Sequence, residues 1–227
     1  MITHVFFDFF GTLVDYDSSV HPTPNAPWEF ARRAGSKISE GASNVCWQRA
    51  WDDLNADADR TGREFSMHQV ARRYWHLIGS PSLVAGSIDA LIAEYLEAWT
   101  TKVSPAAPAF DCITDLAADY TLAIVSNTHD SRLVSRLVRQ FGLHDAISHV
   151  VASVDIGWRK PHPMIFEAAL RDLRVPARNV VFVGDTWGAD VEGPRRVGMS
   201  AAYVGPSTEK RPAVTLHEIP DIVRSLV

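Results

Sequence analysis

Short apolar runs recur through the second half of the chain, each followed by an amphipathic helical pattern, and this alternation leaves few folds open. Strand patterns lie at His4–Phe7 and at residues 121–125, 150–151, 179–183 and 201–204. Helical periodicity fills residues 111–118, 131–141, 163–173 and 189–197. Apolar runs only a few residues long suit strands buried on both faces, the mark of a parallel sheet under helices. The alternation predicts an α/β fold with a doubly wound parallel sheet.

Residues 16–105 read differently. Helical patterns cover 28–34, 42–58, 67–77 and 88–100, and no strand stands out. The proline-rich stretch His21 to Pro27 marks an irregular entry, and Ser104-Pro105-Ala106-Ala107-Pro108 marks the exit. The expected organisation is a core domain of residues 1–15 and 106–227 with an all-helical domain, 16–105, inserted after the first strand. That insertion holds Trp28, Trp47, Trp51, Trp75 and Trp99, five of the seven tryptophans. Trp47 and Trp51, four apart, share a helix face, and packing of a small helical domain accounts for most of the five. Arg32, Arg33, His68 and His76 read as solvated surface residues.

Composition narrows the partners. A net charge of −5, with basic residues only in isolated pairs such as Arg72-Arg73 and Arg195-Arg196, argues against nucleic acid and membrane surfaces. Two cysteines without CxxC spacing argue against a disulfide framework or a zinc site. The apolar run Val5-Phe6-Phe7 stops at Asp8, so it reads as a strand and not as a signal peptide, and no later stretch is long enough to span a bilayer. A cytoplasmic protein acting on a small molecule is the expectation. Oligomeric state has no signature here.

Four polar motifs stand where the strands end. Asp8-Phe9-Phe10-Gly11-Thr12-Leu13 closes the first strand and Ser126-Asn127 the second. Lys160 precedes Pro161-His162-Pro163, and Gly184-Asp185 ends a later strand with Asp190 five residues on. In open α/β sheets ligands bind beyond the carboxyl ends of the strands. There Asp8 can be a nucleophile, a metal ligand or a helix cap. Ser126 suits a phosphate oxygen but is also an ordinary N-cap. Lys160 can be a fixed positive charge or one more surface lysine. Two acidic groups at a buried strand end need something positive, and Asp8 with Asp185 can supply the one or two carboxylates that Mg²⁺ takes.

Taken in order, Asp8-x-x-Gly11-Thr12-Leu13, Ser126-Asn127, Lys160-Pro161 and Gly184-Asp185-x₄-Asp190 resemble the haloacid dehalogenase superfamily, in the subfamily with a helical cap between the first two motifs. The resemblance covers nearly the whole chain. It implies that Asp8 is the nucleophile and that Lys160 neutralises charge on nucleophile and substrate. Thr12, Ser126 and Asn127, the last through its backbone, would bind substrate. Asp8, Asp185 and the Phe10 carbonyl would hold Mg²⁺, with Asp190 supporting Lys160 or the metal's water shell.

One position departs from the pattern. Family phosphatases carry a second aspartate two residues after the nucleophile, as general acid and base, where this chain has Phe10. Losing such a group costs roughly 10²–10⁴ in rate. The superfamily's 2-haloacid dehalogenases also lack that acid, since a departing halide needs no proton, but they resemble one another in lacking the acidic pair kept here as Asp185 and Asp190. The retained pair ranks a Mg²⁺-dependent phosphatase first and a dehalogenase second. A phosphonatase-type hydrolase, which needs a cap lysine such as Lys37 or Lys102, ranks third, and a non-catalytic binding module last.

Overall fold

The computed structural model describes residues 1–17, 25–79 and 86–226. The chain divides into two compact units, Met1–Tyr16 with Ser104–Val227, and Asp17–Val103.

The strands are β1 (His4–Phe7), β2 (Val14–Tyr16), β3 (Val103–Pro105), β4 (Thr121–Ser126), β5 (Ile147–Ala152), β6 (Val180–Gly184) and β7 (Ser200–Tyr203), all in the first unit except Val103. Five of them form one sheet in the order β5-β4-β1-β6-β7, parallel throughout, while β2 and β3 pair separately. The strand order turns at β1: the chain builds outward to β4 and β5, then returns to add β6 and β7 on the other side. Phe7 lies opposite Ile124 of β4 and Val183 of β6, so Asp8 emerges between two carboxyl strand ends, at the switch point.

Helices α5 (Ala109–Ala117), α6 (Leu133–Gln140), α7 (Ser153–Ile156), α8 (Pro163–Asp172), α9 (Gly193–Arg196) and α10 (Ile219–Ser225) belong to this unit. Phe6 and Phe182 pack with Ile165, Phe166 and Ala169 of α8. Val5 and Phe7, one step out of phase, are equally buried, so both faces of β1 are covered. The expected doubly wound α/β fold is therefore observed.

In the second unit, α1 (Ala26–Arg33), α2 (Glu40–Thr61), α3 (Met67–Leu77) and α4 (Ser87–Thr100) pack on one another. Ser39 caps the start of α2 and Gly62 ends it in the left-handed conformation, while Ser66 and Gln69 form a capping box on α3. Tyr74 is fully buried, and its hydroxyl meets Ser43 Oγ at 2.7 Å and the Pro27 carbonyl at 3.0 Å. The ring of Trp47 packs on Tyr74 and Tyr95, that of Trp51 on Phe65, and that of Trp75 on Phe30. These tryptophans are internal packing of the unit.

Several sequence expectations need correction. The stretch 16–105 does hold strand residues, Tyr16 in β2 and Val103–Pro105 in β3, each in a piece too short to show periodicity. Of the expected entry loop, His21 to Pro24 lie outside the described residues, and Ala26 and Pro27 begin α1, where proline is tolerated in a first turn. β5 runs well beyond residues 150–151 because it is an edge strand that accommodates Ser148 and His149. The helix expected at 189–197 is a π-helix at Trp187–Glu192 followed by the short α9. Pro194 has no N–H to give the Asp190 carbonyl, which breaks an α-helix there.

Because Phe6 is fully buried in the α8-facing core, Phe6→Ala should cost about 3–5 kcal/mol of stability. Urea unfolding of the variant and parent measures it, and a difference below about 1 kcal/mol would contradict this packing.

Candidate active site

Asp8 ends β1 with its N–H bonded to the Val183 carbonyl of β6, so its backbone continues the sheet while its side chain leaves it. A tight turn follows, in which the Phe9 carbonyl accepts the N–H groups of Thr12, Leu13 and Val14. Lys160 approaches from the connection before α8, and its Nζ donates to Asp8 Oδ1 and to Asp190 Oδ1, each at 2.7 Å. All three side chains are nearly inaccessible: Asp8 is 6% exposed, Lys160 4% and Asp190 1%. The Phe182 ring lies 5.1 Å from the ammonium, adding a cation–π contact.

Asp190 is fixed in turn by the Thr186 N–H, which donates to its Oδ2 at 2.9 Å. Its side chain lies so close to β6 that a Cβ on Gly184 would fall 2.4 Å from the Asp190 Cβ. Gly184 is glycine because Asp190 takes that space. Gly11 does the same for Asp185: its φ is +85°, and an added Cβ would meet Asp185 Oδ2 at 2.4 Å.

Asp8, Asp185 and Asp190 each offer a carboxylate oxygen, all within 4.8 Å of one another. Three carboxylates face one ammonium, and the imbalance shows in their protonation. Burial, with Asp190 and Asp185 adding to it, pushes the Asp8 carboxyl up to about 6 although Lys160 opposes the shift. Asp185 is also raised, first by burial and then by the charge of Asp190. Burial works against the Lys160 ammonium, yet Asp8 and Asp190 together hold its pKa above the usual lysine value. Uncompensated negative charge on hard oxygen donors fits a divalent cation such as Mg²⁺ or Ca²⁺.

The structure thus brings together Asp8, Lys160, Asp185 and Asp190 from three separated places in the sequence. Thr12, which the resemblance assigns to substrate, is buried and donates its hydroxyl to Asp8 Oδ2 at 3.3 Å. Ser126 is fully buried at the end of β4, with one weak contact, 3.5 Å, to the Asn127 carbonyl. The Asn127 side chain bonds both peptide groups of Lys160. Phe10 is half-buried with its ring edge-on to Phe9. Lys37 is exposed and Lys102 buried. Arg32, Arg33, His68 and His76 are exposed, with Arg33 paired to Glu94 and His68 to Asp89. Sequence reasoning missed the Asn127–Lys160 clamp and the Thr128–Ser153 pair. Their partners are 33 and 25 residues away, and no local pattern announces them.

Comparison with known proteins agrees with this geometry. The haloacid dehalogenase-like hydrolase family model matches residues 2–198. The chain belongs to that family. Haloacid dehalogenase-like hydrolase domain-containing protein 3 of Homo sapiens is 41% identical over 198 residues, 82% of this chain and 76% of the human one. Glyceraldehyde 3-phosphate phosphatase of Pyrococcus abyssi is 27% identical over 89% of this chain and 81% of its own length. The crystal structure of a 2-haloacid dehalogenase from Pseudomonas syringae pv. Tomato DC3000 superposes with a TM-score of 0.74 at 22% identity, covering all of both chains, which is a likeness of fold. As a haloacid dehalogenase-like hydrolase the protein is an enzyme, and its three-carboxylate cluster has the donor chemistry to hold a divalent cation.

Asp185 yields a test of the burial and the neighbouring charge that raise its carboxyl pKa. Its folded pKa lies above its unfolded value, so no penalty exists well below the unfolded pKa. The penalty grows as pH rises and is complete above the folded pKa. Asp185→Asn escapes it. In chelator at pH 7.5 the variant should melt higher than the parent, and the gap should close towards pH 4. A variant that melts lower at pH 7.5, or a gap that widens in acid, would show that burial and the Asp190 charge do not penalise the ionised Asp185.

Proposed function

We propose that the protein is a Mg²⁺-dependent phosphatase of small phosphorylated metabolites, working through an aspartyl-phosphate on Asp8. The observation that carries the reading is the retained carboxylate excess: Asp185 stands beside Asp8 although Lys160 is already paired with Asp8 and Asp190. The resemblance gives the superfamily's metal-free dehalogenases no such acidic pair, so the third carboxylate favours metal-assisted phosphoryl chemistry. The Pyrococcus phosphatase, alike over most of both chains, supports the same direction.

In this mechanism an Asp8 carboxylate oxygen attacks phosphorus, and the ester oxygen leaves with the bonding electrons. Lys160, held at 2.7 Å from Asp8, offsets the charge shared by nucleophile and phosphoryl group. Ser126 and the Asn127 N–H would bind phosphoryl oxygens, and Thr12 would act from beside Asp8. Mg²⁺, when bound by Asp8, Asp185 and the Phe10 carbonyl, supplies Lewis-acid polarisation of the phosphoryl group. Water then attacks phosphorus and frees Asp8. Asp190 keeps Lys160 in place throughout. The helical unit is read as the family's cap, residues 16–105, a division supported by the compact unit Asp17–Val103. Two free cysteines, Cys46 and Cys112, suit the reducing cytoplasm.

Phe10 shapes the substrate preference. Its ring cannot protonate a leaving alkoxide, so the reading favours esters whose oxygen leaves readily, such as aryl and acyl phosphates. Phe10 is also the observation behind the second reading, a 2-haloacid dehalogenase using an Asp8 ester.

Phosphate and chloride release, measured side by side with Mg²⁺ and with EDTA, separate the two. Phosphate release from an aryl phosphate that requires Mg²⁺ is expected. Chloride release from a 2-chloroacid that survives EDTA, with no phosphatase activity, would reverse the order. Asp8→Asn should abolish turnover while leaving the melting transition cooperative, and wild-type rates in it would exclude covalent catalysis by Asp8. Phe10→Asp should raise activity on alkyl phosphates by about tenfold or more relative to aryl phosphates. An unchanged ratio would remove the leaving-group argument.

A further inference from the structure

Asn127 follows the last residue of β4, and its side chain is committed to one residue far along the chain. Its carboxamide oxygen accepts the Lys160 N–H at 2.7 Å, and its nitrogen donates to the Lys160 carbonyl at 3.1 Å. The partners dictate which end is which, since a peptide N–H only donates and a carbonyl only accepts. This reciprocal pair is what residues on adjacent antiparallel strands exchange. Lys160 lies in a turn, so the amide of Asn127 stands in for a neighbouring strand.

The next residue is fastened nearby. The Thr128 N–H donates to Ser153 Oγ at 2.9 Å, and that hydroxyl donates to the Thr128 carbonyl at 3.1 Å. Both links tie the end of β4 to the segment between β5 and α8. Only the Asn127 link ends on the residue whose ammonium meets Asp8 and Asp190.

A lysine side chain has four rotatable bonds, so two carboxylates alone hold its ammonium only while their own charge stays put. In the reaction read here that charge moves from Asp8 to the phosphoryl group. The ammonium keeps its place during the transfer only if the backbone behind it is fixed. We infer that Asn127 is a positioning residue: its side chain clamps the Lys160 backbone and so sets the ammonium at Asp8, leaving any substrate contact to the Asn127 N–H. The inference rests on the phosphatase reading, both for the charge that moves to the phosphoryl group and for the part of Lys160 in turnover.

The test is a double-mutant cycle on Mg²⁺-dependent hydrolysis of p-nitrophenyl phosphate, using Asn127→Ala, Lys160→Met and the pair. Asn127→Ala should lower kcat about 10- to 100-fold with KM little changed. Added to Lys160→Met it should cost little more, because its effect passes through the lysine. Ser153→Ala supplies the pattern of a purely structural link, a lower melting temperature with kcat retained. If Asn127→Ala behaves like Ser153→Ala, or if its loss of kcat multiplies that of Lys160→Met, the inference is overturned. Asn127→Asp, of equal volume, keeps the acceptor for the Lys160 N–H but sets a carboxylate against its carbonyl. It should fold and lose kcat, which covers a misfolded alanine variant. Wild-type turnover by Lys160→Met would remove Lys160 from the reaction and overturn both readings. A disabled Lys160→Met beside wild-type kcat in both Asn127 variants would sink this one alone.

Discussion

A buried ammonium between two buried carboxylates is the contact on which the rest of the site depends. Lys160 reaches Asp8 and Asp190 at 2.7 Å each, with almost no solvent access to any of them. Charges this dry are tolerated only when every partner is in place, and removing one from such a group typically costs about 3–5 kcal/mol. Asp8 comes from the end of β1, Asp190 from the π-helix after β6, and the Asn127 clamp from the end of β4. Three strand ends must therefore agree on one atom, Lys160 Nζ. The parallel sheet secures that agreement because its register lines up the carboxyl ends.

Asp185 disturbs this balance. Lys160 is already shared, so a third carboxylate nearby leaves the cluster with more negative than positive charge; burial first, and then the neighbouring carboxylates, raise the carboxyl pKa values of Asp8 and Asp185. A stability-minded sequence would place an amide there. The carboxylate is kept nonetheless, and side chains are given up at Gly11 and Gly184 to make room for Asp185 and Asp190, as at a site where function outweighs stability.

Much of this was legible in the amino-acid sequence. Buried strands announce themselves by β-branched and aromatic runs, as at Val5-Phe6-Phe7 and Val180-Val181-Phe182-Val183, so the sheet and its class could be read. The charged residues the structure brings together are ones already singled out, because a polar residue that abruptly ends such a run lies at a strand tip. Less was legible where the signal is not local. β5 carries Ser148 and His149, tolerable only because it is an edge strand, and edge position is a property of the whole sheet. The π-helix before Pro194 mimics a helical pattern in composition. The Asn127 amide looked like a backbone donor beside a strand end, since nothing near it in sequence reveals that Lys160 is its partner.

The position of β1 in the middle of the sheet has a consequence for how the chain reaches this structure. His4 pairs with Thr121 on one side and Val180 on the other, so β1 finds neither neighbour until far more of the chain has been synthesised. Meanwhile Val5, Phe6, Phe7, Phe9 and Phe10 form an aromatic-rich β segment of the kind that self-associates when exposed. A single charge interrupts it. Asp8 sits in the centre of that run, where a like charge on every copy discourages one nascent chain from pairing with another. The carboxylate that the finished protein buries is thus the one charge within the stretch from Val5 to Phe10 while that stretch is still exposed.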